Sequence, residues 1–254
     1  MFQFKKTERL GVITLDKAPA NSYDIHFFKE FEKILNTIEV DPEIAVVLLK
    51  SAIPKFFSAG ADIKVFQSNT SEQNQEMVAM ANKVANHINK SSKIFLAFLN
   101  GHTLGGGLEL ALACDIRLAS KKKFLLGLPE VKLGLMPGNG GIPRLASAVG
   151  ISKAFEMVVS GNNIDAEEAF RIGLVNQLYD EENAEVQVLE YATNLSQGPK
   201  LAMATIKQTF SEGIGKSLDD FLKLEKEKVS TLYDTHDAKE GFLAFVEKRT
   251  PNYE

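Results

Sequence analysis

The sequence predicts an α/β fold, and three observations carry that prediction. Short β-type runs alternate with helical patterns through the first two thirds of the chain, the order from which an α/β domain is built. The chain has 254 residues, 44% hydrophobic and 24% charged, enough to bury a large core without disulfides or metal. Glycine-rich stretches fall where a β-type run gives way to an apolar helical one, as in "NGHTLGGGLELALACD" at 100–115.

The β-type runs are "GVITLD" at 11–16, "AVVLLKS" at 45–51, "IFLAFLN" at 94–100 and "DIRLAS" at 115–120. Between them Phe27, Phe31, Ile34, Leu35 and Ile38 recur at helical spacing, as do Met77, Met80, Ala81, Val84 and Ile88; each stripe is read as a core-facing helix side. After residue 140 the pattern reads as helices only. "DAEEAF" from Asp165 has the form of a capping box with Glu168, and Gly173 stands near the helix end. "AEVQVLEYATNLSQ" follows, stopped by Gly198 and Pro199, then "KLAMATIKQTFSEG" and "SLDDFLKLEKEKVSTLYD". The expected organisation is a core over 1–195 and a helical region over 196–254 whose apolar stripes pack on the core or on a second subunit.

Net charge is −4, and the one basic run, "SKKKF" at 120–124, is too short for a nucleic-acid footprint and reads as a solvated turn. Neither nucleic acid nor a membrane is expected as a partner, since no segment has the apolar length to span a bilayer. The single cysteine, Cys114, lies in an apolar run and reads as a small hydrophobe in a reducing compartment. The cytoplasm is the expected location, or an organelle matrix if a presequence has been removed.

Three stretches carry candidate chemistry. In the first, glycines 105–107 precede an apolar run holding one acid, Glu109. A helix start offers unpaired N–H groups and partial positive charge, and glycine lets an oxygen reach them. Nucleotide loops do not fit: Gly107-Leu108 stands where a Walker loop needs lysine and serine or threonine, and Leu110 where a dinucleotide fingerprint needs glycine or alanine. The second stretch, "FFSAGADIKVF" at 56–66, has the small-residue turn Ala59-Gly60-Ala61. The third, "LGLPEVKLGLMPGNGG" at 126–141, carries Glu130 after Pro129, and is read as irregular or strand-end chain. His102 and Ser58 are read as structural, and His26, His87 and His236 lack metal-ligand spacing, so no metal site is expected.

Together "AGADIK", "NGHTLGGGLELALACD", "GLPEVKLGLMPGNGG" and the terminal "DAKEGFLAFVEKRTPNY" resemble the crotonase, or enoyl-CoA hydratase/isomerase, superfamily along the whole chain. The resemblance implies a spiral of ββα turns, a C-terminal helical part that builds trimers or pairs of trimers, and an acyl-CoA thioester substrate. It implies an oxyanion hole made by the main-chain N–H groups of Ala61 and Gly106. Ala59, Ala61, Asp62, Ile63, Lys64, Gly105 and Gly106 would line the thioester and its coenzyme A. It implies catalysis by Glu109 and Glu130, the acid pair kept by relatives that hydrate enoyl thioesters, with no cofactor beyond the substrate's own coenzyme A. Two features depart from the pattern: Ile142-Pro143 replaces a common polar pair before Arg144, and "SKKKFLLG" is one residue longer than in many relatives.

On this resemblance the chain is expected to be an enoyl-CoA hydratase adding water across a trans-2-enoyl thioester, as in fatty-acid β-oxidation. Glu109, in a helix's first turn, is expected to stay ionised and act as base. Glu130, among Leu126, Leu128 and Val131, is expected to stay protonated and act as acid. The rivals are an isomerase or other crotonase-type acyl-CoA enzyme, and a non-catalytic scaffold binding coenzyme A or RNA. The helix over 71–90 and "QSNTSEQNQEM" before it are expected to shape the acyl pocket.

Overall fold

The four β-type runs form the centre of one sheet. A computed structural model describes all residues, Met1–Glu254. Strands β1 (Phe2–Thr7) and β2 (Leu10–Leu15) make an antiparallel hairpin; helix α1 (Ile25–Val40) then leads to β3 (Val46–Ser51). Asp24 caps α1 by accepting the Phe27 N–H at 2.8 Å, and the helix buries Phe27, Phe31, Leu35 and Ile38. The predicted stripe therefore faces the core, where each such side chain contributes about 1.5–3 kcal/mol.

From β3 onward the chain repeats one move. A strand enters the large sheet and the next, much shorter strand enters a second sheet. Thus β3 is followed by β4 (Phe56–Ser58), then by helices α2 (Ile63–Ser68) and α3 (Ser71–Lys90). β5 (Ile94–Leu99) is followed by β6 (His102–Leu104) and helix α4 (Gly106–Ala113). β7 (Ile116–Ser120) is followed by β8 (Leu126–Gly127), a 3-10 turn over Glu130–Leu133 and helix α5 (Gly141–Val149). The large sheet has the order β1-β2-β3-β5-β7 and the small one β4-β6-β8, whose strands run parallel. This alternation is the expected spiral of ββα turns.

The rest of the chain is not helical throughout. Helices α6 (Ile151–Ser160) and α7 (Ala166–Arg171) are followed by β9 (Gln177–Tyr179), which pairs parallel with β7 and completes the six-stranded sheet. The helices-only expectation fails here because a three-residue edge strand has too little periodicity to register. The capping box at Asp165 is half formed: Asp165 accepts the Glu168 N–H at 2.8 Å, but the Glu168 carboxylate turns to Arg171. Helices α8 (Ala184–Ser196), α9 (Lys200–Gly213), α10 (Leu218–Ser230) and α11 (His236–Glu247) complete the chain. No helix is long and apolar enough to cross a membrane.

Candidate active site

Parallel strands place their carboxyl ends side by side, about 4.8 Å apart from one to the next. In the small sheet this puts three segments next to each other: the loop 59–62 after β4, the start of α4 over 105–109 after β6, and 128–130, leading into the 3-10 turn, after β8. These are the three stretches singled out in the sequence. They wall a cavity of about 490 Å³ that contains Ala59, Ala61, Ile63, Gly105, Gly106, Glu109 and Glu130. Apolar side chains, among them Phe66, Val78, Leu133, Leu135 and Met136, form the remaining wall.

The glycines give that convergence its tightness. Gly60 has φ +85°, a backbone state that side chains rarely adopt, and a Cβ there would sit 2.9 Å from the Leu104 carbonyl and 3.0 Å from the Gly106 nitrogen. The loop after β4 thus lies against the start of α4. Neither the Ala61 N–H nor the Gly106 N–H is used in the chain's own hydrogen bonds, so two donors are free at the cavity. A Cβ on Gly106 would overlap the Tyr23 hydroxyl, while one on Gly105 would sit 3.0 Å from Glu130 Oε1 and one on Gly141 2.8 Å from Glu109 Oε1. Each of these glycines leaves room for an oxygen of the site.

Glu109 is buried at 2% exposure. Its Oε1 accepts the main-chain N–H of Asn139 at 2.7 Å and of Gly141 at 2.9 Å. Burial pushes its pKa above the ordinary carboxylate range, and those two N–H groups and the charge of Arg144 pull the other way. The net direction corrects the expectation that the dipole of its own helix keeps this acid readily ionised. The donors that favour its charge come from the first residue of α5, Gly141, and from Asn139 in the turn before it. Glu130 is half-buried in the 3-10 turn, and its Oε2 has no partner. Burial, reinforced by the negative charge of Glu109, raises its pKa to about 7, as expected for an acid among apolar groups.

Asp62 and Lys64 stand outside the wall. Asp62 caps α2, accepting the N–H groups of Lys64 and Val65, and the Lys64 side chain is exposed. The 71–90 helix contributes only Val78 to the cavity, with Phe66 and Gln67 before it. His102 accepts the Leu125 N–H through Nδ1 at 3.1 Å and packs on Phe56. Ser58 donates to the Asn21 carbonyl at 2.9 Å; both are structural. Cys114 is buried, with its thiol pushed up to about 12 by burial. Pro143 lies in the first turn of α5, where no N–H partner is required, so the Ile142-Pro143 departure leaves the helix entry intact.

Two residues of the site went unnoticed in the sequence, Tyr23 and Asn139. Tyr23 bridges to Ala61 through its main chain, donating to Gly60 and accepting from Asp62, both at 2.9 Å. Its hydroxyl accepts from Asn139 Nδ2 at 3.0 Å. The tyrosine follows buried Asn21, which holds this segment by donating to Ser51 Oγ and the Phe57 carbonyl. A lone tyrosine before a helix carries no sequence signal of such a role.

Residues 5–254 match the family model described as enoyl-CoA hydratase/isomerase. The short-chain-enoyl-CoA hydratase of Clostridium acetobutylicum is 34% identical over 246 residues, 96% of this chain and 94% of that protein. The crotonyl-CoA hydratase of Syntrophomonas wolfei is 35% identical over 251 residues, 98% and 96% of the two chains. A solved enoyl-CoA hydratase of Bacillus anthracis superposes with a TM-score of 0.95 at 34% identity, covering 99% of this chain and 98% of that one. With the ββα spiral and the convergence of its loops, these likenesses establish that the chain belongs to the enoyl-CoA hydratase/isomerase family.

Proposed function

We propose that the chain is an enoyl-CoA hydratase, a hydro-lyase that adds water across a trans-2-enoyl-CoA to give the 3-hydroxyacyl-CoA. The observation that carries this reading is the meeting of two carboxyl groups and two free main-chain donors at one largely apolar cavity. The named relatives support it.

Attack of water at Cβ moves the double-bond electrons toward the thioester oxygen. The Ala61 and Gly106 N–H groups stabilise the charge that develops there; losing one such donor costs about 3 to 4 kcal/mol. Glu109 takes a proton from the water as its oxygen bonds to Cβ. Glu130, near half protonated at neutral pH, delivers a proton to Cα on the same face as the enolate collapses. A net proton transfer from Glu109 to Glu130 resets the pair. Coenzyme A enters only as part of the substrate, and no separate cofactor is required by this scheme. The apolar wall suits a short to medium acyl chain, as in β-oxidation.

We assign residues 1–195 to the catalytic core and 196–254 to assembly as a homotrimer or a dimer of trimers, working in the cytoplasm. The test of activity is the loss of the conjugated absorbance of crotonyl-CoA, with the 3-hydroxy product identified. Double-bond migration without water uptake marks an isomerase. Tight acyl-CoA or RNA binding with no turnover on a panel of enoyl thioesters marks a scaffold.

A further inference from the structure

Hydration needs a water molecule with a defined orientation, and the two acids leave part of that task open. Both N–H bonds to Glu109 fall on Oε1, so Oε2 remains for the water. Asn139 supplies one of those N–H groups, and its own side chain enters the same cavity. The carboxamide is buried at 6% exposure and its Oδ1 has no hydrogen-bond partner. A buried acceptor left unpaired costs free energy unless a ligand or water fills it. Its Nδ2 donates to Tyr23, which is 4% exposed and also lines the cavity, and the carboxamide lies close enough to Glu109 to favour its charged form.

We propose that Tyr23 and Asn139 hold the attacking water: the tyrosine hydroxyl braces the carboxamide, whose Oδ1 accepts one O–H of the water while Glu109 Oε2 accepts the other. A water bound through both hydrogens presents its lone pairs to Cβ, which is the orientation that attack requires. Asn139 touches the water and is a catalytic residue; Tyr23 acts through it and is a positioning residue. The step forms the same O–Cβ bond and moves the same protons as above. This inference rests on the hydratase reading and adds to it what fixes the nucleophile.

The space for the brace is built in, since the absence of a Cβ at Gly106 admits the Tyr23 hydroxyl. The charged and titratable groups facing the pair are Glu109 on α4, Glu130 on the 3-10 turn and Arg144 on α5. Arg144 Nη1 donates to the Asn139 carbonyl at 2.7 Å and steadies the main chain at that residue.

The test measures crotonyl-CoA hydration by the full chain and by Tyr23→Phe, Asn139→Ala and the double variant, with butyryl-CoA as an unreactive binding probe. Each single variant is expected to lose about 10- to 100-fold in kcat, with KM and butyryl-CoA affinity within about threefold of the unmodified protein. The double variant is expected to lose no more than the worse single, because the two side chains act as one unit. The fall in rate at high pH is expected to stay near pH 7 in all of them, because Glu130 is untouched. Near-normal kcat in either single variant overturns the inference, as do losses that multiply or a loss confined to KM and affinity. If Tyr23→Phe does not fold, as judged by thermal melting, Asn139→Ala decides by the same kcat criterion, since it keeps the N–H to Glu109. An unmodified protein that hydrates no enoyl thioester overturns the hydratase reading, and this inference with it; normal hydration by both variants overturns this inference alone.

Discussion

Glu109 is buried and Glu130 half-buried, and they differ further in what surrounds them. Glu109 receives two main-chain donors, whereas the free oxygen of Glu130 receives none. Replacing either by Gln keeps the shape and removes the proton transfer, so turnover is expected to fall by about two to four orders of magnitude in each variant, measured by crotonyl-CoA hydration. Near-normal hydration by Glu130→Gln would remove it from the mechanism. In the proposed mechanism Glu130 works in its protonated form, and its pKa is raised to about 7. The rate should therefore fall as pH rises through about 7, and fall again at acid pH, where Glu109, whose pKa is also raised by burial, loses its basic form; a profile of kcat flat from pH 6 to 9 contradicts the assignment. At this scale the motifs pointed to part of the cavity lining, as at Glu109, Glu130, Ala61 and Gly106. They were silent on Tyr23 and Asn139, because the place of these two in the cavity depends on space left by glycines more than eighty residues from one and more than thirty from the other.

Among the elements, length decided much of what was legible, although β1, as long as β2, was not singled out and the six-residue α7 was. The stripes of α1 and α3 announce their buried faces, and the four apolar runs announce β2, β3, β5 and β7. The small sheet consists of "FFS", "HTL" and "LG", which show no alternation, yet its parallel order assembles the site. The same difficulty hid β9. Helix α9 shows how a terminal element is fastened to this core. Lys207, buried on it, donates to Asp115 Oδ2 and to the Ile88 and Lys93 carbonyls, each at 2.8 Å. Asp115 Oδ2 also accepts the Phe95 N–H at 2.7 Å. Removing the ammonium leaves a half-buried carboxylate without its cation, so Lys207→Met is expected to lose about 2 kcal/mol of stability, less than a fully buried pair would. Thermal or denaturant unfolding reads this directly, and an unchanged midpoint would show that the pair is not what fastens α9.

The molecule as a whole carries more exposed apolar surface than an isolated chain needs. On α11 Phe245 is 85% exposed and Val246 77%, with Phe242 beside them and Phe210 on α9 also open. Patches of this kind mark interfaces, in line with the proposed trimer. Sedimentation equilibrium is expected to find three chains per particle or a multiple of three, and a single chain after Phe242→Glu with Phe245→Glu. A single-chain mass for the unmodified protein would end the trimer assignment. The lining of the cavity runs from Tyr23 to Asn139 and takes no side chain from beyond. In the proposed assembly, mutations that accumulate in the last hundred residues over generations can therefore reshape how copies associate while leaving the cavity lining in place, so that lineages would be free to vary quaternary form and chemistry as separate traits.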